Sequence, residues 1–206
     1  MANDTSFYFY LDSGLATPDP NLLSILHNKS LSDNPQDFVR YFGSIATTGT
    51  TQCRASSNPG TDQITITPTV ILPEWAVATA YTLGQSVEPT TPNTYRYVVT
   101  VAGTSHATTE PTWPTTVGNT VTDGTVTWRC ESKVHPITEI KLALTSGGLA
   151  GATPGASLAL GSTILSGSAN AVEVHFRVTN TVTTVGNNAG TPELKLLFNA
   201  FQEDNV

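Results

Sequence analysis

The sequence predicts an all-β protein, an antiparallel β-sandwich interrupted by a small inserted β module. Three observations carry that prediction. Apolar and polar residues alternate with a period of two in the best-defined segments, and no segment sustains a helical period. Charged residues are only 12% of the 206, alongside 16 Gly and 13 Pro, which suits a β-rich surface protein better than a helical cytosolic enzyme. The aromatic residues are segregated: all three Trp lie between Glu74 and Lys133, and all seven Phe lie outside that interval.

Taken in order, residues 7–11 are short and aromatic and end at Asp12-Ser13-Gly14, which predicts a strand. Residues 22–26 are apolar but too short to assign as helix or strand. Residues 37–42, closed by Gly43, form a second strand, and residues 63–67 alternate cleanly and stop at Pro68. Between them Ser56-Ser57-Asn58-Pro59-Gly60 is a turn, since Pro fixes φ and Gly accepts a positive one. Beyond the Trp-bearing interval, Ile140, Leu142 and Leu144 share one face with Lys141 on the other, followed by turns at Gly147-Gly148 and Thr153-Pro154-Gly155. The clearest strand is 172–179: Val172, Val174, Phe176 and Val178 point one way, Glu173, His175, Arg177 and Thr179 the other. Residues 193–201 close the set with Leu194, Leu196 and Phe198 inward.

Each flank supplies about four strands, too few for a closed sandwich, whereas together they make about eight. Residues 1–73 and 134–206 are therefore expected to form one docking body, with 74–133 inserted between Pro73 and Pro136. A module grafted on a loop tip needs only that its two ends lie close together.

Several function classes are excluded by composition. With a net charge of −7 and nine scattered Lys and Arg, the chain has no basic patch to grip nucleic acid or an anionic membrane. The N-terminus has neither a basic start nor an apolar run, so no export signal is expected, and no apolar stretch is long enough to span a bilayer. Cys53 and Cys130, one in each expected domain, are then free thiols of a reducing compartment. His27, His106, His135 and His175 lack zinc-ligand spacing, so no metal and no cofactor is expected. No nucleophile elbow, phosphate loop or carboxylate pair is visible. Glu110 without a second carboxylate is a solvated turn residue rather than a glycosidase acid, and the protein is expected not to be an enzyme. His175 and Arg177, on the outward face of their strand, suit a surface pair or a subunit contact.

The aromatics of 74–133 are the candidates for binding, because the C–H face of a sugar ring suits the π face of Trp or Tyr. Trp113, between Pro111 and Pro114 in a segment unsuited to sheet pairing, is the best placed to be exposed; Tyr81, Tyr97 and Trp75 are its companions. Competing with this, so small a module needs Trp75, Trp128 and at least one of Tyr81, Tyr95 and Tyr97 for its own core.

The run Trp75, Ala80-Tyr81, Gly84, Val87, Pro89-Thr90, Tyr95, Tyr97, Ala102-Gly103-Thr104-Ser105, Glu110-Pro111-Thr112-Trp113-Pro114, Gly118 and residues 121–128 (VTDGTVTW) resembles the small chitin-binding-like modules inserted in tailed-bacteriophage virion proteins. The flanks, through Tyr41-Phe42-Gly43-Ser44, residues 57–64, and Ala152-Thr153-Pro154-Gly155-Ala156 leading to Leu165-Ser166-Gly167 and the Val172 strand, are similar to phage structural proteins of the tail and virion surface. The resemblance implies a virion component without enzymatic activity, assembled in the host bacterial cytoplasm as an oligomer with other virion proteins, its insert directed at a host-surface glycan. A place at the tail or tail tip is the first expectation, a capsid decoration protein the second, and a polysaccharide-binding accessory protein or glycosidase fragment the third.

Overall fold

The computed structural model describes residues 6–19, 35–181 and 194–206. Within them the regular structure is almost entirely strand: β1 (Phe7–Tyr10), β2 (Gln36–Ser44), β3 (Thr51–Ala55), β4 (Ile64–Val70), β5 (Ala80–Tyr81), β6 (Ser86–Val87), β7 (Tyr95–Val101) and β8 (Gly103–Thr104), then β9 (Thr120–Asp123), β10 (Val126–Lys133), β11 (Ile140–Ala143), β12 (Leu158–Gly161), β13 (Thr163–Leu165), β14 (Val172–Val178), β15 (Leu194–Phe198) and β16 (Phe201–Asn205). Every pairing between these strands is antiparallel. The described residues fall into two compact units, one of 6–70, 136–181 and 194–206, the other of 71–135.

In the first unit one layer is the sheet β1-β2-β14-β11. Its register sets Phe9 opposite Phe42 and Phe176 opposite Phe38, so alternation delivers all of these rings to one face. The other layer is two three-stranded sheets, β12-β4-β15 and β13-β3-β16. They are one set of strands broken at a common level: β12 runs on into β13 through Gly161 (φ +136), and β15 into β16 through Asn199 and Ala200. Asn199 stitches the break, accepting the Thr65 N–H at 2.8 Å and donating to the Gln63 carbonyl at 2.9 Å. Between β3 and β4 the chain loops out through the predicted Asn58-Pro59-Gly60 turn, closed by Thr61 N–H to the Asn58 carbonyl. Cys53, Ala55, Ile64, Ile66, Leu160, Ile164 and Leu196 face the Phe layer, and all seven Phe belong to this core. Phe42, 1% exposed, is its hub, with ring centroids 4.9–6.1 Å from Phe7, Phe9, Phe198 and Phe201.

The structure departs from the sequence pattern at several points. Strand β4 does not stop at Pro68 but runs through it to Val70. Pro68 is tolerated because β12 pairs with β4 only as far as Ile66, so nothing on that side calls for its missing N–H. Leu144 does not share the inward face of Ile140 and Leu142: β11 ends at Ala143, Leu144 is 45% exposed, and Leu149 in the following turn is buried instead. Residues 193–201 do not form one strand but straddle β15, the Asn199 break and the start of β16. Strands β3, β12 and β13 have no counterpart in the prediction, since Cys53 and Ala55 are weak apolar signals and Gly161 divides the third segment. The 22–26 stretch lies outside the described residues. Arg40 occupies an inward position between Phe38 and Phe42, where its Nε donates to Asp19 Oδ2 at 2.6 Å.

Where the chain leaves the first unit at Val70 and rejoins it at Pro136, the two points are neighbours, because the Ile137–Glu139 turn lies against β4. Each unit holds one buried free thiol. Burial, aided by the carboxylates of Glu203 and Asp204, pushes the Cys53 thiol up to about 12, and burial also raises Cys130. Neither is expected to react with iodoacetamide in the native protein at neutral pH, because the thiolate is the nucleophile. Peptide-resolved mass spectrometry across a denaturant series should show each cysteine labelled only as its own unit opens; labelling of either in native buffer would refute this.

Candidate functional site

The second unit is the sheet β6-β7-β10-β9 beside the short pair β5-β8. Val126, Trp128 and Cys130 alternate inward along β10 and Tyr97 and Val99 along β7, meeting Trp75, Tyr81 and Val87 in a core separate from that of the Phe residues. Strands β9 and β10 form a hairpin with the two-residue loop Gly124-Thr125. Gly124 has φ +62, and a Cβ there would lie 2.4 Å from the Thr104 carbonyl oxygen, so only glycine lets the hairpin tip close on β8.

Asp123, at the last position of β9, is the polar centre of this unit and is 3% exposed. Its Oδ2 accepts the indole N–H of Trp75 at 2.7 Å and of Trp128 at 3.2 Å, while Oδ1 accepts the His106 backbone N–H at 2.8 Å. A buried indole needs an acceptor, and one carboxylate here serves two of them and fastens the 105–115 segment to the hairpin. In the sequence Asp123 stands only within the 121–128 run, and spacing does not mark it as an acceptor for indoles. An acidic residue in a charge-poor module with three Trp was the available cue to its role.

The predicted sugar-stacking residues are brought together, but not as a platform. Trp75, Tyr81 and Tyr97 are 5%, 9% and 0% exposed. Tyr81 meets Trp128 edge-on at 4.8 Å and its hydroxyl accepts the Ala76 N–H; the Tyr97 hydroxyl accepts from Asn93 and donates to the Pro114 carbonyl. Buried in this way, the three have no open ring face to offer a sugar: with Trp128 they fill the interior of so small a unit. Trp113 is half-buried, with Tyr97 at 4.3 Å and Trp128 at 5.7 Å, and it lies in the segment without strand pairing. Its indole N–H donates to Glu110 Oε1 at 2.8 Å. Glu110 is not simply a solvated turn residue: the same oxygen accepts the Thr90 N–H at 3.0 Å, and Oε2 accepts the Thr90 hydroxyl.

An open depression of about 300 Å³ is lined by His106, Thr109, Glu110, Pro111, Thr122, Asp123 and Gly124. In the exposed His106 ring, Nδ1 accepts the backbone N–H groups of Thr108 and Thr109 at 3.3 and 3.1 Å. The neutral ring therefore carries its proton on Nε2, as a donor. Glu110 and Asp123 line one depression, but the donors to Asp123 are two core indoles and a backbone amide, which ties it to holding the core. Among the described residues no group of three or more His, Cys, Asp or Glu could hold a metal ion.

Compared with family models, with curated proteins and with solved structures, the chain finds no match in any of the three.

Other charges of this unit lie on its sheet and at its start. Arg96, 2% exposed, donates to Glu131 Oε2 at 2.6 Å across β7 and β10. Glu88 and Glu74 form a parallel bridge at the start of the unit, where Trp75 N–H donates to the Glu88 carbonyl and Glu88 N–H to the Pro73 carbonyl. Burial, and then the charge of Glu74, holds the Glu88 carboxyl above its usual range. Folding favours its protonated form, so the contribution is intact at acid pH and lost as pH rises through the raised value. Glu88→Gln is expected to raise the melting temperature of this unit at neutral pH and to leave it unchanged below about pH 4. Tryptophan fluorescence on heating at the two pH values checks this; a lower melting temperature at neutral pH would contradict it.

Proposed function

We propose that this chain is a non-enzymatic structural protein of a tailed-phage virion, sited at the tail or tail tip. Its Phe-cored sandwich docks to other virion proteins and to further copies of itself, and its Trp-cored unit is presented to host-surface glycan. The observation that carries the reading is the interruption. One β body with its own core is opened between β4 and the Ile137–Glu139 turn, and a second body with a different aromatic core is set into the opening. Such a layout suits display, because either core can change without disturbing the other. The likeness of the 75–128 run to inserted phage modules supports it further. The functional labels of the two bodies, 1–73 plus 134–206 for docking and 74–133 for glycan, follow from the same reading. A role in binding rather than hydrolysis is supported by Asp123, whose oxygens hold two indoles and a backbone amide.

The test is the protein's copy number and place in purified particles of the phage that encodes it. A few copies, with gold-labelled antibody at the tail, is the expected result. Hundreds of copies around the head would replace the tail reading with capsid decoration, and absence from the particle would overturn both.

A further inference from the structure

Because the buried aromatics offer no stacking platform, a glycan contact on the second unit needs another surface, and one is built. Two polar side chains that line the depression are fixed in place. Glu110 is held by Trp113 and by the amide and hydroxyl of Thr90, so its carboxylate is an immobile acceptor. His106 is held by two backbone amides on Nδ1, which fixes Nε2–H as a donor. Pro111 and Thr122 line the same depression, whose exposed lining is mostly apolar, and Asp123 in that lining is rigid because it is locked into the core. An anion would meet the Glu110 carboxylate, and a large apolar ligand would find too little surface. A rigid acceptor beside a rigid donor over a small apolar patch matches adjacent hydroxyls of a neutral sugar, each of which can donate to one group and accept from the other.

We propose that the depression formed by His106, Glu110, Pro111 and Thr122 is a subsite for one neutral sugar residue, recognised through neighbouring hydroxyls, with Trp113 acting as the positioning residue for Glu110. This rests on the host-glycan reading given above and relocates the contact from the aromatic rings to the polar trough. Being open, it binds in the millimolar range and gains strength from multiple copies.

Titration of the ¹⁵N-labelled full chain with N-acetylglucosamine, and separately with glucose, tests it by NMR. Saturable shifts are expected at the amides of His106, Thr109, Thr122 and Gly124 and at the His106 ring. His106→Ala is expected to weaken binding about fivefold, the value of one neutral hydrogen bond, while the spectrum of the rest of the unit stays in place. Trp113→Phe, which removes the donor to Glu110 but keeps a ring, should also weaken binding and should move the Thr90 amide. Saturable shifts confined to surfaces away from the trough would overturn the subsite and leave the glycan reading standing. An unchanged spectrum with both sugars would overturn the subsite, while the particle experiment decides the virion assignment by itself.

Discussion

Replacing Asp123 by Ala is expected to unfold the second unit while leaving the first intact. The substitution leaves two indole N–H groups and a backbone amide without their buried acceptor. Hydrogen bonds to a charged group each contribute about 1.5–3 kcal/mol, and an orphaned buried donor costs about 1–3 kcal/mol. A unit of this size is held by only about 3–10 kcal/mol, so a loss of about 4 kcal/mol or more removes most of its stability. All three Trp belong to this unit, so emission should shift to the red and quench readily. Cys130 should become open to alkylation while Cys53 stays protected. Asp123→Asn keeps an acceptor and should recover part of the loss. An Asp123→Ala protein with native emission and a protected Cys130 would remove this carboxylate from its central role.

The mirror experiment is Phe42→Ala in the first unit. Truncating a buried Phe costs about 3–5 kcal/mol when the cavity cannot collapse. Collapse is hindered here because Phe42 is ringed by four other Phe drawn from both layers. The expected result is alkylation of Cys53 at a much lower denaturant concentration with the Trp emission still native, since no Trp lies in this unit. Loss of Trp signal in parallel with Cys53 exposure would show that the two cores do not open independently.

How much of this was legible in the sequence depends on what each residue had to reveal. The partition of Trp and Phe was plain because each small core recruits its own large side chains, and strand β14 was plain because its alternation is unbroken over seven residues. Strand β3 was hidden because its inward residues are Cys53 and Ala55, too small to register as an apolar stripe. Arg40 was not legible for a different reason: it stands on the inward side of β2, and the Asp19 that offsets its charge is distant in sequence. In the candidate site the aromatic residues were legible but their role stayed open between core and sugar face, since a ring that packs a core and a ring that stacks on sugar are written with the same letters. The roles of Asp123, Glu110 and His106 depend on hydrogen bonds that sequence spacing does not encode.

Ser6 ties one end of the first unit to the last strand: its N–H and its hydroxyl donate to the Glu203 carboxylate at 2.6 and 2.7 Å. Residues 6 and 203 are thus held side by side, just as the Ile137–Glu139 turn is held against β4. The sandwich is in effect a ring of polypeptide with two closely spaced openings, either of which could serve as the cut. A short bridge across the first opening and new termini at the second would give a circular permutant with the same strand neighbours, and a cargo peptide could be seated where the Trp-cored body now stands.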